Sequence, residues 1–143
     1  KESKDRVRSA ILNSRFEFPM QRITVNLAPA DLPKEGGRFD LAIALGILAA
    51  SGQIPSTNLN QYECVGELSL GGELRPIIGV LPIAIRARDC NRQLILPKEN
   101  TAEAALVKNV EILPAAHLLE VCAHVNGRSL IETTYQQPQP TEL

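Results

Sequence analysis

The spacing of apolar side chains predicts a helix and a strand in the first part of the chain. In residues 1–14, one stripe at helical spacing lies among charged residues, which indicates an amphipathic helix; its members are Val7, Ala10, Ile11 and Ser14. Residues 22–28, RITVNLA, alternate apolar and polar positions, which is typical of a half-buried strand. One face of each element is therefore expected to lie against a core.

A glycine-bearing loop and a strongly apolar helix are predicted next. Residues 29–37 contain two prolines and the Gly36-Gly37 pair, and we interpret them as a loop. Residues 39–50 are apolar almost all round, which indicates a central helix, with Asp40 in the first turn where a negative charge suits the helix dipole. Gly52 is expected to end this helix.

Shorter periodic stretches follow. Residues 62–70 alternate and run into Gly71-Gly72, which predicts a β-hairpin with a return strand at 73–75. The remaining predicted elements are a helix at 82–89, a strand at 92–97, a helix at 101–107, a strand at 109–114 and a helix at 115–125. Because strands and helices alternate here, we expect βαβ units with parallel pairing and a mixed α/β, two-layer domain.

Composition narrows the chemistry. The 143 residues suffice for one domain, and with 3% aromatic residues and no Trp the core must be aliphatic and base stacking is not expected as a binding mode. The net charge of -1 excludes a general polycation. Basic residues nevertheless crowd the first 22 positions, namely Lys1, Lys4, Arg6, Arg8, Arg15 and Arg22. This pattern fits either a solvated helix face or a local patch that faces phosphate groups.

The cysteines and histidines predict neither disulfides nor a metal site. Cys64, Cys90 and Cys122 are odd in number and widely spaced, which favours a reducing cytoplasm. The spacing of His117, Cys122 and His124 matches no zinc pattern. The apolar run at 41–50 is too short to span a bilayer, no signal peptide is visible, and the chain begins at Lys1 without a methionine. We therefore expect a cytoplasmic fragment of a longer protein, without membrane contact.

The glycine turn invites a search for phosphate-binding or nucleophilic chemistry. Neither a Walker loop nor a dinucleotide-binding glycine motif occurs in the sequence. Residues 36–50 contain no Ser, Thr or Cys that could act as a nucleophile. The charged residues of the turn are Lys34, Glu35, Arg38 and Asp40. Glu35 and Asp40 could form an acid–base pair, or the four could fix the turn by ion pairs and helix capping.

One long stretch carries a family resemblance. RITVNLAPADLPKEGGRFDLAIALGILAASGQI at 22–54, followed by VGELSLGGELRPIIGVLPIA at 65–84 and LILPKEN at 94–100, resembles the magnesium-chelatase-like AAA+ family of bacterial competence proteins, the ComM/YifB type. The resemblance implies an N-terminal domain at 1–130, truncated at its own N-terminus, with a fold like the Lon proteolytic domain and domain 2 of ribosomal protein S5. It also implies that 131–143 form a polar linker towards a missing AAA+ ATPase module.

Lon proteases use a Ser-Lys dyad, and the resemblance shows where its members would lie. The serine position falls on Arg38 and the lysine position falls near Leu81, while no lysine occurs between Lys34 and Lys98. We therefore expect no catalytic residues, no cofactor site and no metal site in this chain. The scaffold is expected to be that of a protease without the protease's chemistry.

The family implies a function for the parent protein. It would be an ATP-dependent ring helicase, a hexamer, that promotes branch migration during natural transformation, with ATP and Mg²⁺ bound in the missing module. This chain would be an accessory domain whose candidate contacts with DNA or with the ATPase module are Lys4, Arg6, Arg8, Lys34, Glu35, Arg38 and Asp40. The alternative is a structural or subunit-interaction module of a magnesium-chelatase-type ATPase, without DNA contact.

Overall fold

The structure, a computed structural model, describes residues 3–19 and 37–134. The predicted strand at 22–28 and nearly all of the predicted loop at 29–37 lie outside the described residues. In chain order the helices and strands are α1 (Ser3–Asn13), α2 (Asp40–Ala50), β1 (Tyr62–Cys64), β2 (Glu67–Leu68), β3 (Leu74–Arg75), α3 (Val80–Asp89), β4 (Gln93–Pro97), α4 (Thr101–Ala104), β5 (Ile112–Ala115) and α5 (Leu118–Val125). Short 3-10 turns at Leu59–Gln61 and Lys98–Asn100 precede β1 and α4.

A parallel sheet with the strand order β1-β4-β5 organises the described residues. Its register pairs Cys64 with Ile95 and Ile95 with Leu113. The strands β2 and β3 form a separate antiparallel pair, in which Leu68 faces Leu74. The predictions of parallel βαβ pairing and of a hairpin at the glycine pair are therefore confirmed.

Helices cover both faces of the parallel sheet. The β4 residues Leu94 and Leu96 pack in one apolar cluster with α3 and α4, whereas Ile95 between them packs in a second cluster with α1, α2 and α5. Successive strand residues point to opposite faces, so the apolar run in β4 is the signature of a strand buried on both sides. The mixed α/β class is confirmed, and the helices occupy two layers around the sheet where one was expected.

Several predicted elements differ in extent. The strand expected at 62–70 is split into β1 and β2, because Gly66 takes a φ of 152° and its backbone bonds to the start of α2 instead of continuing the ladder. The helix expected at 101–107 is regular only from Thr101 to Ala104, after which Leu106 and Val107 make shorter i to i-3 bonds. The helix expected at 115–125 begins at Leu118, because β5 extends to Ala115.

The chain after α5 returns to the sheet. Ile131 donates its N–H to Nδ1 of His124 at 2.9 Å, and Thr134 forms a bridge with Ile112, donating its N–H to the Ile112 carbonyl at 2.7 Å. Residues 131–134, assigned from the sequence to the linker, are thus hydrogen-bonded to the domain, and 135–143 lie outside the described residues. No helix within 3–19 or 37–134 has the length and apolar character needed to cross a membrane.

Candidate functional site

Backbone hydrogen bonds fix the glycine turn at the start of α2. Asp40 donates its N–H to the Gly37 carbonyl at 2.9 Å, which closes the turn. Gly66 donates to the Arg38 carbonyl and accepts from the Leu41 N–H, both at 3.0 Å. The turn is therefore attached on both sides of Asp40 to the segment that joins β1 and β2.

The Asp40 carboxylate is completely buried and accepts hydrogen bonds from three parts of the chain. Its side chain is 0% exposed. Oδ1 accepts from Ser3 Oγ at 2.6 Å, while Oδ2 accepts from Arg6 Nε at 2.7 Å and from the Leu68 N–H at 3.0 Å. Because both oxygens accept hydrogen bonds, this carboxylate joins α1, α2 and β2.

Arg6 supplies the positive charge that compensates this buried carboxylate. Its guanidinium also donates from Nη2 to Oδ1 at 3.3 Å, so the pair is bidentate. The hydrogen bond to Asp40 raises the pKa of Arg6 above its usual value, against the opposing effect of burial. Glu67 Oε2 lies 3.7 Å from Arg6 Nε and adds a second, more exposed negative charge.

Position 37 requires a glycine because this network leaves no room for a side chain. A Cβ at this position would lie 2.6 Å from Glu67 Cγ, 2.8 Å from Asp40 Oδ2 and 2.9 Å from Arg6 Nη2. The turn thus needs a glycine for close packing. The ion pair packs directly against the glycine backbone.

Arg38 and Leu81 lie on neighbouring segments but carry no dyad chemistry. Arg38 Nη2 donates to the Ile78 carbonyl at 3.4 Å, three residues before Leu81 in the chain. Leu81 is half-buried in the first turn of α3 and packs against the apolar cluster on that face of the sheet. A guanidinium and an isobutyl side chain provide neither a nucleophile nor a general base at neutral pH.

The structure separates the basic residues of α1 into two groups. Arg6 points inward, with a side chain 13% exposed, whereas Lys4 and Arg8 are exposed on the outer side of the helix. The guanidinium carbon of Arg8 lies 5.3 Å from the centre of the Phe18 ring, within the range of a cation–π contact. Lys34 and Glu35 lie outside the described residues.

Two members of this network were missed by sequence reasoning. Ser3 contributes its hydroxyl to Asp40, and Arg6 Nη2 donates to the same Ser3 Oγ at 3.0 Å. The i, i+3 spacing of Ser3 and Arg6 put them on one helix face and could have indicated a shared partner. No sequence pattern indicated that the Leu68 amide would bind Asp40, because its position depends on the break in the predicted strand.

The histidines make hydrogen bonds that shape the fold. His117 accepts the Leu119 N–H at Nδ1, 3.0 Å, as the N-cap of α5, and its Nε2 donates to the Gly71 carbonyl at 2.9 Å. His124 is 8% exposed and its ring meets the Tyr62 ring edge-on, with centroids 5.6 Å apart. Within the described part of the chain, no three His, Cys, Asp or Glu residues are arranged to hold a metal ion.

Comparison with known proteins places this scaffold in a family. Residues 1–100 match the model for subunit ChlI of Mg-chelatase. Competence protein ComM of Haemophilus influenzae is 54% identical over 128 residues, which is 90% of this chain and 25% of that protein. The chain belongs to the ChlI family. YifB of Escherichia coli, an uncharacterized protein, is 49% identical to it over 99% of the chain and 27% of its own length.

A weaker similarity connects this ChlI-family chain with Lon proteases. Lon protease 2 of Bacillus subtilis is 33% identical over 84 residues, 58% of this chain and 14% of the protease. This sequence similarity supports the expected likeness of the mixed α/β fold to the Lon proteolytic domain. The chain spans about a quarter of the length of its ComM and YifB relatives, 25% and 27% respectively.

Proposed function

We propose that this chain is a non-catalytic accessory domain of an ATP-driven ring motor that acts on DNA. The observation that carries the proposal is the 54% identity with a competence protein over 90% of the chain. In this proposal the parent protein is a cytoplasmic, hexameric AAA+ helicase that promotes branch migration during natural transformation. ATP and Mg²⁺ bind in its separate ATPase module, and the present domain binds neither.

The domain would contact DNA through the outer side of α1. Lys4 and Arg8 are exposed there, and their charges suit the phosphate backbone, which proteins bind without reading sequence. Arg6 and Asp40 are bonded to each other inside the domain, so they would hold α1 in place and leave the DNA contact to their neighbours. Arg38, Lys34 and Glu35 are candidates for contact with the ATPase module.

Charge reversal on α1 tests this function. Lys4→Glu with Arg8→Glu should weaken binding to random-sequence DNA and reduce the log–log salt slope by about two. Lys108→Glu with Arg128→Glu, two exposed positions outside α1, gives the same change in net charge and should affect binding less. Equal affinities for the wild type and the α1 variant would remove α1 as the DNA contact.

The similarity to Lon proteases raises the question of peptidase activity, and we propose that this chain has none. The proposal is supported by Arg38 and Leu81 at the dyad positions and by the bonded carboxylate of Asp40. Incubation of the purified chain with casein should release no peptides. Turnover that scales with enzyme concentration and survives repurification would overturn this part of the proposal.

A second candidate is a structural or subunit-interaction module of a magnesium-chelatase-type ATPase, without DNA contact. It is favoured by apolar side chains at and before α3, where Ile78 is 89% exposed and Ile85 41% exposed. Ultracentrifugation of the chain and of an Ile78→Asp variant tests this function. Concentration-dependent association that the substitution abolishes, together with no DNA binding at low salt, would favour this candidate over the first.

A further inference from the structure

Within residues 3–19 and 37–134, four helices have eight or more residues, and one of them ends on an unexpected residue. Each helix closes with the same pair of backbone bonds, in which the residue at the C′ position takes a left-handed conformation. Gly52 ends α2, Asn91 ends α3 and Gly127 ends α5. At the end of α1 the corresponding residue is Arg15, with a φ of 69°.

Arginine is a poor choice for that backbone conformation. In the left-handed region Cβ lies too close to the backbone. Gly has no Cβ and Asn tolerates this conformation, so another residue held there indicates that its side chain has a function. The bonds themselves are normal, since Arg15 donates to the Leu12 carbonyl at 3.1 Å and Phe16 to the Ile11 carbonyl at 3.1 Å. The chain therefore adopts the motif fully while carrying a residue that disfavours it.

The side chain of Arg15 has no role in holding the described fold together. It is exposed, and it makes no hydrogen bond or ion pair with residues 3–19 or 37–134. Attraction to the C-terminal end of the helix dipole is one use for a cation here, but the next long helix, α2, ends without any basic residue in its last turn. A positive charge at this point is thus not needed to end a helix in this domain.

We propose that Arg15 is a phosphate-binding residue, held in a strained backbone conformation, and that it extends the nucleic-acid-binding surface formed by Lys4 and Arg8 on α1. This inference rests on the proposed function and names a residue for the same surface. Lys4 and Arg8 are one turn apart and exposed, and Arg15 is exposed about two turns further along. A guanidinium can bind a phosphate with two parallel hydrogen bonds, and the scarcity of aromatic residues favours backbone contact over base stacking.

Arg15→Gly tests both parts of the proposal, because it removes the backbone strain and the phosphate-binding side chain together. The variant should raise the melting temperature by about 2–5 °C because the strain is removed. It should also weaken binding to a random-sequence duplex and to a single strand several-fold at low salt, and reduce the log–log salt slope by about one. Arg15→Lys retains a charge and the strained backbone, so it should bind DNA nearly as the wild type does and show no gain in stability.

Two control variants and the Lys4, Arg8 charge reversal distinguish an effect of Arg15 from effects of net charge or backbone strain elsewhere. Arg128→Ala removes one exposed charge elsewhere, and Asn109→Gly relaxes another left-handed residue, with a φ of 67°, without changing charge. If Arg15→Gly is no more stable than the wild type, or binds DNA as tightly while the Lys4, Arg8 reversal binds weakly, the inference about Arg15 is wrong and the proposed function stands. If the Lys4, Arg8 reversal also binds normally, the proposed DNA surface itself is wrong.

Discussion

Asp40 is a residue whose loss the fold should tolerate poorly, because its removal leaves a buried cation and an unpaired amide. Asp40→Ala breaks the bonds to Ser3, Arg6 and the Leu68 N–H together. We expect this substitution to lower the free energy of unfolding by about 3–5 kcal/mol, as for other buried pairs that lose one partner. Urea denaturation of the purified variant measures the change.

A comparison with an exposed pair tests the reason for that loss. Arg88 and Asp89 form an ion pair at 3.1 Å at the surface, with side chains 38% and 61% exposed, so Asp89→Ala should lower the unfolding free energy by less than about 1 kcal/mol. In a double-mutant cycle of Arg6→Ala and Asp40→Ala the coupling should be about 1–3 kcal/mol. A coupling near zero would show that the two side chains stabilise the turn independently.

Gly72 illustrates a second constraint that acts on a single residue. Its φ is 97°, and a Cβ would lie 2.8 Å from both Ser14 Oγ and His117 Cε1. The His117 ring cannot swing aside without losing its bonds to the Gly71 carbonyl and the Leu119 N–H. Gly72→Ala should therefore lower the unfolding free energy by about 2–4 kcal/mol.

Gly127 supplies the matched control for that substitution. Its φ of 76° is also left-handed, but nothing lies within 4 Å of its Cβ position. Gly127→Ala should thus show the conformational penalty alone, about 1 kcal/mol. Chemical denaturation of the two alanine variants gives both values, and equal losses would mean that the crowding around Gly72 contributes nothing.

At the scale of elements, the apolar pattern predicted the helices and strands that are determined by the residues of one segment. The helices α1, α2 and α3 and the strand β4 lie where the apolar pattern placed them. This pattern is one apolar face in α1 and α3 and a nearly continuous apolar run in α2 and β4. The break at Gly66 could not be predicted, since alternation continues through it and only the bonds to Arg38 and Leu41 divert the chain. The Arg6–Asp40 pair was equally hidden, because residues 34 apart in sequence meet only through the packing of α1 on α2.

The segment after α5 should respond to pH through His124. Its Nδ1 accepts the Ile131 N–H, which only the neutral ring can do, and burial lowers the pKa of His124 below its ordinary 6.5. A lowered folded-state pKa means that protonation favours the unfolded chain. Stability from this histidine is therefore present above about pH 6.5 and is lost as the pH falls through the unfolded and then the folded pKa.

Urea midpoints measured at about pH 7.5 and about pH 5.5 test this dependence. The wild type should be less stable at the lower pH, and faster hydrogen exchange at Ile131 should accompany the loss. His124→Gln should flatten the dependence, while His117→Asn, which retains a capping side chain at α5, should leave it in place. An unchanged pH response in His124→Gln would assign the effect to other groups.

At the scale of the whole molecule, the described residues form two apolar clusters that share one sheet, and this arrangement should make the domain unfold as a unit. Neighbouring residues of β5 provide a matched pair of probes, because Ile112 faces the α3–α4 cluster and Leu113 faces the α1–α2–α5 cluster, both with 0% exposure. Truncating either side chain also weakens the strand on which the other cluster rests. Ile112→Ala and Leu113→Ala should each lower the unfolding free energy by about 2–5 kcal/mol.

The dependence on denaturant decides whether the clusters are coupled. If both faces are lost together, each variant should show one transition with the denaturant slope of the wild type, and secondary structure and tyrosine fluorescence should change at the same urea concentration. A second transition in one variant, with a reduced slope, would mean that one layer of helices can detach while the other stays folded. A single transition would mean that α1, on one face, and the segment at 131–134, bonded to β5 and α5, keep a fixed relation in the folded domain.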